Sequence, residues 1–149
     1  MKTLLYVFVG FLALTTKSVF AYNGKIITLP DSRVAVVASG DLEGASVGSY
    51  SLAIYTNSDL IDFVVGAIFP RDGSIFMDNG EPRVEFADMN GDGKEEIVIT
   101  KLTAGSGAYL EVDILSIEDK SIKLLARETG EDKTAILKIL EKKLKNKDH

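Results

Sequence analysis

The stretch YSLAIYT, residues 50–56, decides the fold because large apolar side chains alternate in it with other residues. In an extended chain, successive side chains point to opposite faces. Tyr50, Leu52 and Ile54 therefore share one face. A period of two over this length predicts a β-strand with that face in a core.

The same kind of segment recurs along the chain, separated by turn signals such as Pro-Arg-Asp-Gly at 70–73 and Glu-Asp-Lys-Ser at 118–121. The run 62–69 is apolar on both faces, which predicts a central strand. Many short strands joined by turns predict an all-β fold, an antiparallel β-sandwich or flattened barrel of about eight strands. The further strands are predicted at residues 33–39, 62–69, 74–77, 83–86, 96–102, 110–114 and 122–127.

The spacing of the apolar residues changes after Gly130 from that of a strand to that of a helix. Asp132 is a good N-cap, and it predicts a C-terminal helix over residues 133–145. Apolar residues at helical spacing give this helix one apolar stripe, made of Ile136, Leu137, Leu140 and Leu144. Two interpretations stay open: the stripe docks on the sandwich, or it forms a dimer contact.

The first 21 residues have the pattern of a cleavable signal peptide. Lys2 gives a positive start, residues 4–14 are uncharged and mainly apolar, and Val19 and Ala21 fit the small-residue cleavage pattern. The apolar run is shorter than the ~20 residues that a membrane-spanning helix needs. We therefore predict cleavage after Ala21 and a single domain over residues 22–149, periplasmic or secreted and free of the membrane.

The composition argues against several classes of function. The chain has no Cys and one His, the terminal His149, so it offers no Cys nucleophile and no His-based triad or metal site. The leader holds two of the 17 basic residues and none of the 22 acidic ones, so the segment after residue 21 carries a net charge of −7. An acidic surface disfavours nucleic acid as a partner. We expect a protein that binds and is not an enzyme.

One loop, residues 88–96, resembles the front of a calcium-binding loop. Oxygen-bearing side chains stand at its first, third, fifth and ninth positions, and a glycine stands at the sixth. The twelfth position is apolar, so the bidentate acid of an EF-hand is missing. The loop is either a Ca²⁺ site or a metal-free turn. If it binds Ca²⁺, the chain would be an exported β-module that recognises glycan or cell-wall polymer; the four ligands would be Asp88, Asn90, Asp92 and Glu96.

A second loop, residues 103–109, is built from very small residues and ends in an aromatic. Gly105 and Gly107 remove bulk on both sides of Ser106, so the hydroxyl would stand on a thin protrusion that fits a cleft. Tyr109 offers a flat face with a polar tip, a residue type frequent at binding hot spots. The alternative is a plain β-connection with Tyr109 packed in its strand.

Residues 106–109, Ser-Gly-Ala-Tyr, resemble the Ser-Gly-x-Tyr motif of bacterial periplasmic lysozyme inhibitors, in particular the inhibitors of invertebrate-type (i-type) lysozyme. The resemblance extends to residues 48–51, 69–73 and 90–93. It implies a β-sandwich, often dimeric, that needs no cofactor and has lysozyme as its partner. Inhibitors of chicken-type and goose-type lysozymes use similar motifs, so the lysozyme class stays open.

The resemblance also implies roles for the motif loop, which such inhibitors insert into the lysozyme active-site cleft. Ser106 would contact the catalytic carboxylates of the enzyme. Gly105 and Gly107 would let the backbone approach. Tyr109 would buttress the loop or pack on the cleft wall.

Overall fold

The computed structural model describes residues 24–40, 47–69, 75–103 and 109–146. The predicted signal peptide and the predicted turn at 70–73 lie outside these ranges. The described residues form two four-stranded antiparallel sheets and one helix, with a simple meander in each sheet. Sheet 1 has the order β1-β2-β3-β4 and sheet 2 the order β5-β6-β7-β8. This confirms the predicted all-β class and its sandwich form.

The strands of sheet 1 are β1 (Gly24–Thr28), β2 (Val34–Ser39), β3 (Gly48–Thr56) and β4 (Asp59–Ile68). Those of sheet 2 are β5 (Val84–Ala87), β6 (Glu96–Leu102), β7 (Leu110–Glu118) and β8 (Ser121–Gly130). The helix α1 spans Lys133–Lys145. No helix in the described part of the chain is long and apolar enough to cross a membrane.

The main core lies between the two sheets. Tyr50, Leu52 and Ile54 of β3 all face it, as their alternation predicts. From sheet 2, Ile97, Ile99 and Leu115 complete the same cluster. The β3–β4 hairpin turns through two residues with positive φ, Asn57 at 49° and Ser58 at 72°, which matches the right-handed twist of the strands it joins.

A second core joins α1 to the outer face of sheet 2. Ile136, Leu140 and Leu144 are buried there, against a cluster that includes Val112 and Ile114 of β7. The Asp132 side chain accepts a hydrogen bond from the Ala135 amide at 2.7 Å and so caps the helix as predicted. The apolar stripe of α1 is therefore covered by the sheet of its own chain.

Three details of the strand prediction were wrong. The run 62–69 is not a central strand, because β4 forms an edge of sheet 1 and exposes Phe63 and Val65. In place of the strand predicted at 74–77, residues 75–77 contribute only an isolated bridge from Phe76 to Pro82. β1 was not predicted, because its short sequence shows no clear alternation.

Candidate functional site

The loop that joins β6 to β7 is closed at its root by backbone contacts. The Thr103 amide donates to the carbonyl oxygen of Tyr109 at 3.0 Å, and the Thr103 hydroxyl donates to the same oxygen at 3.3 Å. The Phe69 amide, just past the end of β4, donates to the Leu102 carbonyl at 3.2 Å. These contacts join the ends of three strands beside the loop.

Of the predicted binding residues, the structure places Tyr109, whereas Gly105, Ser106 and Gly107 lie outside the described residues. Tyr109 is 47% exposed, so it does not pack as an ordinary core aromatic. Its ring is accessible at the root of the loop. The order of the motif along the chain puts Ser106 within three residues of this exposed ring.

A buried cluster of charges lies directly below the loop, between the two sheets. Lys101 of β6 contacts Asp113 and also reaches Glu111 at 2.8 Å. Arg127 of β8 holds Asp113 with two hydrogen bonds, Nε to Oδ1 at 2.5 Å and Nη2 to Oδ2 at 2.9 Å. The side chains of Lys101 and Asp113 are only 3% and 2% exposed. The interior of the sandwich at this end is therefore ionic rather than apolar.

The contacts within this cluster keep its buried groups charged. Burial alone would raise the pKa of the Asp113 carboxyl, but hydrogen bonds from Arg127 and Lys101 outweigh burial and lower that pKa. Burial would lower the pKa of Lys101, but its bonds to Asp113 and Glu111 raise that pKa instead. The cluster contains two basic and two acidic side chains, so their formal charges balance.

Tyr50 ties the cluster to sheet 1. Its hydroxyl donates to Asp113 Oδ2 at 3.4 Å, and Lys101 Nζ lies 5.3 Å from the centre of its ring. Burial raises the pKa of this hydroxyl, which keeps it a neutral donor. The ring lies over Gly66 of β4, where an added Cβ would stand 2.5 Å from the ring carbon Cε1. Only glycine leaves room for this ring position.

A cleft of about 320 Å³ opens beside the loop root. One wall is the end of β4, and the other carries the ionic cluster. Arg127 is half exposed at this wall, so part of its guanidinium faces solvent. The cleft is lined by Val65, Gly66, Ala67, Lys101, Thr103, Glu111 and Arg127.

This cluster was not predicted from the sequence. Glu111 and Asp113 alternate with Leu110, Val112 and Ile114, which is typical of a strand with its polar side in water. In the fold the polar side of β7 does not face water. The helix α1 covers the side with Val112 and Ile114, and Asp113 on the opposite side faces the other sheet. A lysine inside the β-branched run of β6 was the one local signal of a buried charge.

The loop at 88–96 uses its predicted calcium ligands as hydrogen-bond acceptors for its own backbone. The Asp88 carboxylate accepts from the amides of Gly91 and Gly93 at 2.6 and 3.0 Å. Asn90 accepts from the Asp92 amide at 2.9 Å. Gly93 has a φ of +84°, in line with its predicted role in a sharp turn.

The fourth predicted ligand, Glu96, points into the protein. It is 4% exposed, and its carboxylate accepts from the Met89 amide at 2.7 Å. Burial raises the pKa of this carboxyl. The described residues contain no group of three or more acidic, His or Cys side chains placed to hold a metal ion. These contacts make the loop a hydrogen-bonded turn, and calcium binding to it stays a prediction.

A β-sandwich with an exposed aromatic at the root of the β6–β7 loop, beside a cleft, has features typical of a protein that binds another protein. The family model for the periplasmic lysozyme inhibitor of I-type lysozyme matches residues 21–144. The chain therefore belongs to this family of periplasmic inhibitors.

Two solved structures are similar to this chain. One is the periplasmic lysozyme inhibitor of I-type lysozyme from Aeromonas hydrophila, with 27% sequence identity and a TM-score of 0.61 over 78% of this chain and 98% of that one. The other is the Aeromonas hydrophila inhibitor in complex with Meretrix lusoria lysozyme, with 30% identity and a TM-score of 0.57 over 77% and 94% of the two chains. No curated protein matches the chain.

Proposed function

We propose that this protein inhibits i-type lysozyme by placing the loop 103–109 in the active-site cleft of the enzyme, and that it has no catalytic activity of its own. The exposure of Tyr109 at the closed root of this loop carries the proposal. Family membership and the lysozyme complex of the Aeromonas hydrophila relative support it.

The chemistry of the target explains why a serine at the tip is suited to the task. Lysozymes cleave glycan between paired carboxyl groups. The Ser106 hydroxyl would donate a hydrogen bond to an ionised carboxylate there, which is worth roughly 1.5–3 kcal/mol. Gly105 and Gly107 would leave the narrow cleft free of other side chains. The loop would then occupy the place of the sugar.

The ionic cluster contributes by fixing the root of the loop. Lys101 and Glu111 face each other across β6 and β7, one residue below the strand ends that lead into the loop. A loop held at its base loses less conformational entropy on binding than a free one, so the same contacts give a higher affinity. Lys101 and Glu111 therefore act as positioning residues.

A turbidity assay tests the proposal. Lysis of a cell-wall suspension by an i-type lysozyme should stop at near-stoichiometric amounts of the mature protein. Ser106→Ala should weaken inhibition roughly 10- to 150-fold, the equivalent of one charge-assisted hydrogen bond. Tyr109→Ala should weaken it further. Chicken-type and goose-type lysozymes in the same assay establish the class that is inhibited.

Lys120→Ala is the matched control. Lys120 lies in the turn between β7 and β8, at the other end of β7 from the loop. A nine-residue strand puts this turn roughly 30 Å away. If Ser106→Ala/Tyr109→Ala inhibits as well as the wild type and Lys120→Ala, the loop does not carry inhibition.

A further inference from the structure

The described part of the chain contains two asparagine–glycine pairs, Asn79-Gly80 and Asn90-Gly91; a third pair, at 23–24, has its asparagine outside the described residues. Both described glycines have a positive φ, +79° at Gly80 and +87° at Gly91. In both turns the side-chain oxygen of the asparagine accepts a hydrogen bond from the amide two residues further on, at 3.0 and 2.9 Å. The two turns therefore match in the conformation of the glycine and in the placement of the asparagine carbonyl.

The glycine amides of these two turns have different hydrogen-bond acceptors. The Gly80 amide donates to the backbone carbonyl of Met77 at 2.8 Å. The Gly91 amide donates to Oδ1 of the Asp88 carboxylate at 2.6 Å. A backbone carbonyl does not take up a proton, whereas a carboxylate takes one and becomes a neutral acid. The 2.6 Å distance lies within the ~2.6–3.2 Å reach of a general base, so Asp88 is placed to deprotonate the Gly91 nitrogen.

The side-chain carbonyl of Asn90 is placed to react with this nitrogen. The Asp92 amide donates to its Oδ1 at 2.9 Å, within the ~2.7–3.1 Å at which a donor stabilises a developing oxyanion. This hydrogen bond folds the Asn90 side chain back over the peptide that follows it. Gly91 has no Cβ to obstruct the approach. The Gly93 amide holds the other oxygen of Asp88 at 3.0 Å, which fixes the base.

A cation from α1 lies beside the same turn. A Cβ built on Gly91 would stand 3.6 Å from Cε of Lys145, so this lysine side chain lies over the glycine. A positive charge there stabilises the anion that forms as the Gly91 nitrogen loses its proton. A Cβ built on Gly80 would meet no atom within 4 Å. The base and the neighbouring cation are therefore features of the Asn90 turn that the Asn79 turn does not share.

We propose that Asn90 is a site of self-catalysed deamidation. The Gly91 nitrogen gives its proton to the Asp88 carboxylate and forms a bond to Cγ of Asn90, which closes a succinimide ring. The bond from Cγ to the side-chain nitrogen breaks, and this nitrogen leaves as ammonia with the proton that Asp88 received. Water then opens the ring at either of its carbonyls. The products are aspartate and isoaspartate at position 90.

The modification alters a loop that is packed into the second core. Aspartate at position 90 adds a negative charge between Asp88 and Asp92. Isoaspartate lengthens the backbone by one carbon, so the hydrogen bonds across the turn cannot all persist. Met89, the preceding residue, is buried in the cluster that joins α1 to sheet 2. Deamidation therefore loosens the packing of this loop as the protein ages.

Peptide mass spectrometry of the mature protein, kept folded at neutral pH and sampled over several weeks, tests the proposal. Each deamidated peptide gains the mass difference between an amide and an acid, so Asn79 and Asn90 are followed separately. Asn90 should react at least ~10-fold faster than Asn79, because a positioned general base typically contributes ~10²–10⁴-fold. In guanidinium chloride the two rates should become similar, since an acidic residue follows both pairs.

Asp88→Asn removes the base and keeps an oxygen that can accept from the Gly91 amide. It should slow deamidation of Asn90 by ~10-fold or more, to a rate near that of Asn79. Glu95→Gln is the matched control, because it removes an exposed carboxylate from the same loop and should leave the rate unchanged.

Either of two results overturns the proposal. One is a folded wild type in which Asn90 reacts no faster than Asn79. The other is a folded Asp88→Asn variant in which Asn90 reacts as fast as in the wild type. The comparison within the wild type needs no substitution, so it decides the proposal even if Asp88→Asn does not fold.

This proposal is independent of lysozyme inhibition, because the turn at Asn90 is not part of the loop at 103–109. A deamidated sample should inhibit lysozyme as fresh protein does. Ser106→Ala, in turn, should deamidate at Asn90 at the rate of the wild type. The two proposals can therefore fail separately.

Discussion

Replacing Lys101 by methionine removes the central cation of the buried cluster and keeps a side chain of similar length. Lys101 contacts both Asp113 and Glu111, as Arg127 also does. In Lys101→Met, Asp113 keeps its two hydrogen bonds from Arg127 and the one from Tyr50. Among the described residues, Glu111 then has Arg127 as its ion-pair partner, at 3.3 Å. The variant therefore leaves two carboxylates with one half-exposed guanidinium.

The expected cost follows from this imbalance. Removing one partner of a buried ion pair typically costs about 3–5 kcal/mol, because the other charge stays buried. Here Arg127 still holds Asp113, and the Glu111 side chain is 18% exposed and so partly solvated. We expect the lower end, about 3 kcal/mol in the free energy of unfolding. For a domain of this size that lowers Tm by roughly 10 °C.

Urea denaturation with linear extrapolation measures this free energy. Lys123→Met is the matched control, because Lys123 pairs with Glu118 in an exposed salt bridge, with side chains 56% and 53% exposed. Such a pair is worth at most about 1 kcal/mol. If Lys101→Met costs no more than Lys123→Met, the cluster does not stabilise the fold in the way described.

The pH dependence of stability gives a second test of the cluster. The pKa of Asp113 is lowered in the folded protein, so its contribution is present above the unfolded value of about 3.9 and is lost as pH falls through the folded pKa. Without Lys101 that folded pKa is less depressed. Acid unfolding of Lys101→Met should therefore begin at a higher pH than in the wild type, as circular dichroism across an acid titration would record. If acid unfolding of Lys101→Met begins at the same pH as in the wild type, Lys101 does not lower the pKa of Asp113.

Three other predictions concern single residues. Gly66→Ala places a Cβ 2.5 Å from the Tyr50 ring; it should cost about 1–3 kcal/mol by overpacking, and much less in a Tyr50→Leu background if the clash is the cause. Asp132→Ala removes the N-cap bond of α1 and should cost about 1 kcal/mol in chemical denaturation, whereas the neighbouring Glu131→Ala should cost little. Calcium binding at residues 88–96 would require Asp88 to release two loop amides, so calorimetry at millimolar Ca²⁺ should find a weak site that Asp88→Ala abolishes; no heat with the wild type would refute it.

The alternation of side chains was enough to predict most strands and the fold class, because it depends only on neighbours along the chain. The position of a strand within a sheet depends on distant segments. The run 62–69 is apolar on both faces, which usually indicates burial on both sides. In the structure one of those faces is solvent-exposed, and β4 is an edge strand. The apolar residues behind this wrong prediction include Phe63 and Val65, which lie on the exposed face of β4.

In the candidate site, too, local features could be predicted from the sequence and long-range contacts could not. The loop at 103–109 and Tyr109 were predicted as binding residues from local composition, since small residues between two strong strands are visible in the sequence. Lys101, Asp113 and Arg127 were not, because their pairing depends on the register of β6, β7 and β8. Register is a long-range property, and a single charged residue within a strand does not reveal its partner.

The two meanders have a consequence for how the chain acquires its structure. Within each sheet, the described strands pair only with their neighbours along the sequence, and each sheet comes from one contiguous part of the chain. Pairing between neighbours closes short loops, and folds rich in such local contacts form faster than those with distant strand pairings. Without cysteines to cross-link it, the chain can assemble each sheet hairpin by hairpin, and the docking of the two sheets is then the step that joins distant parts of the sequence.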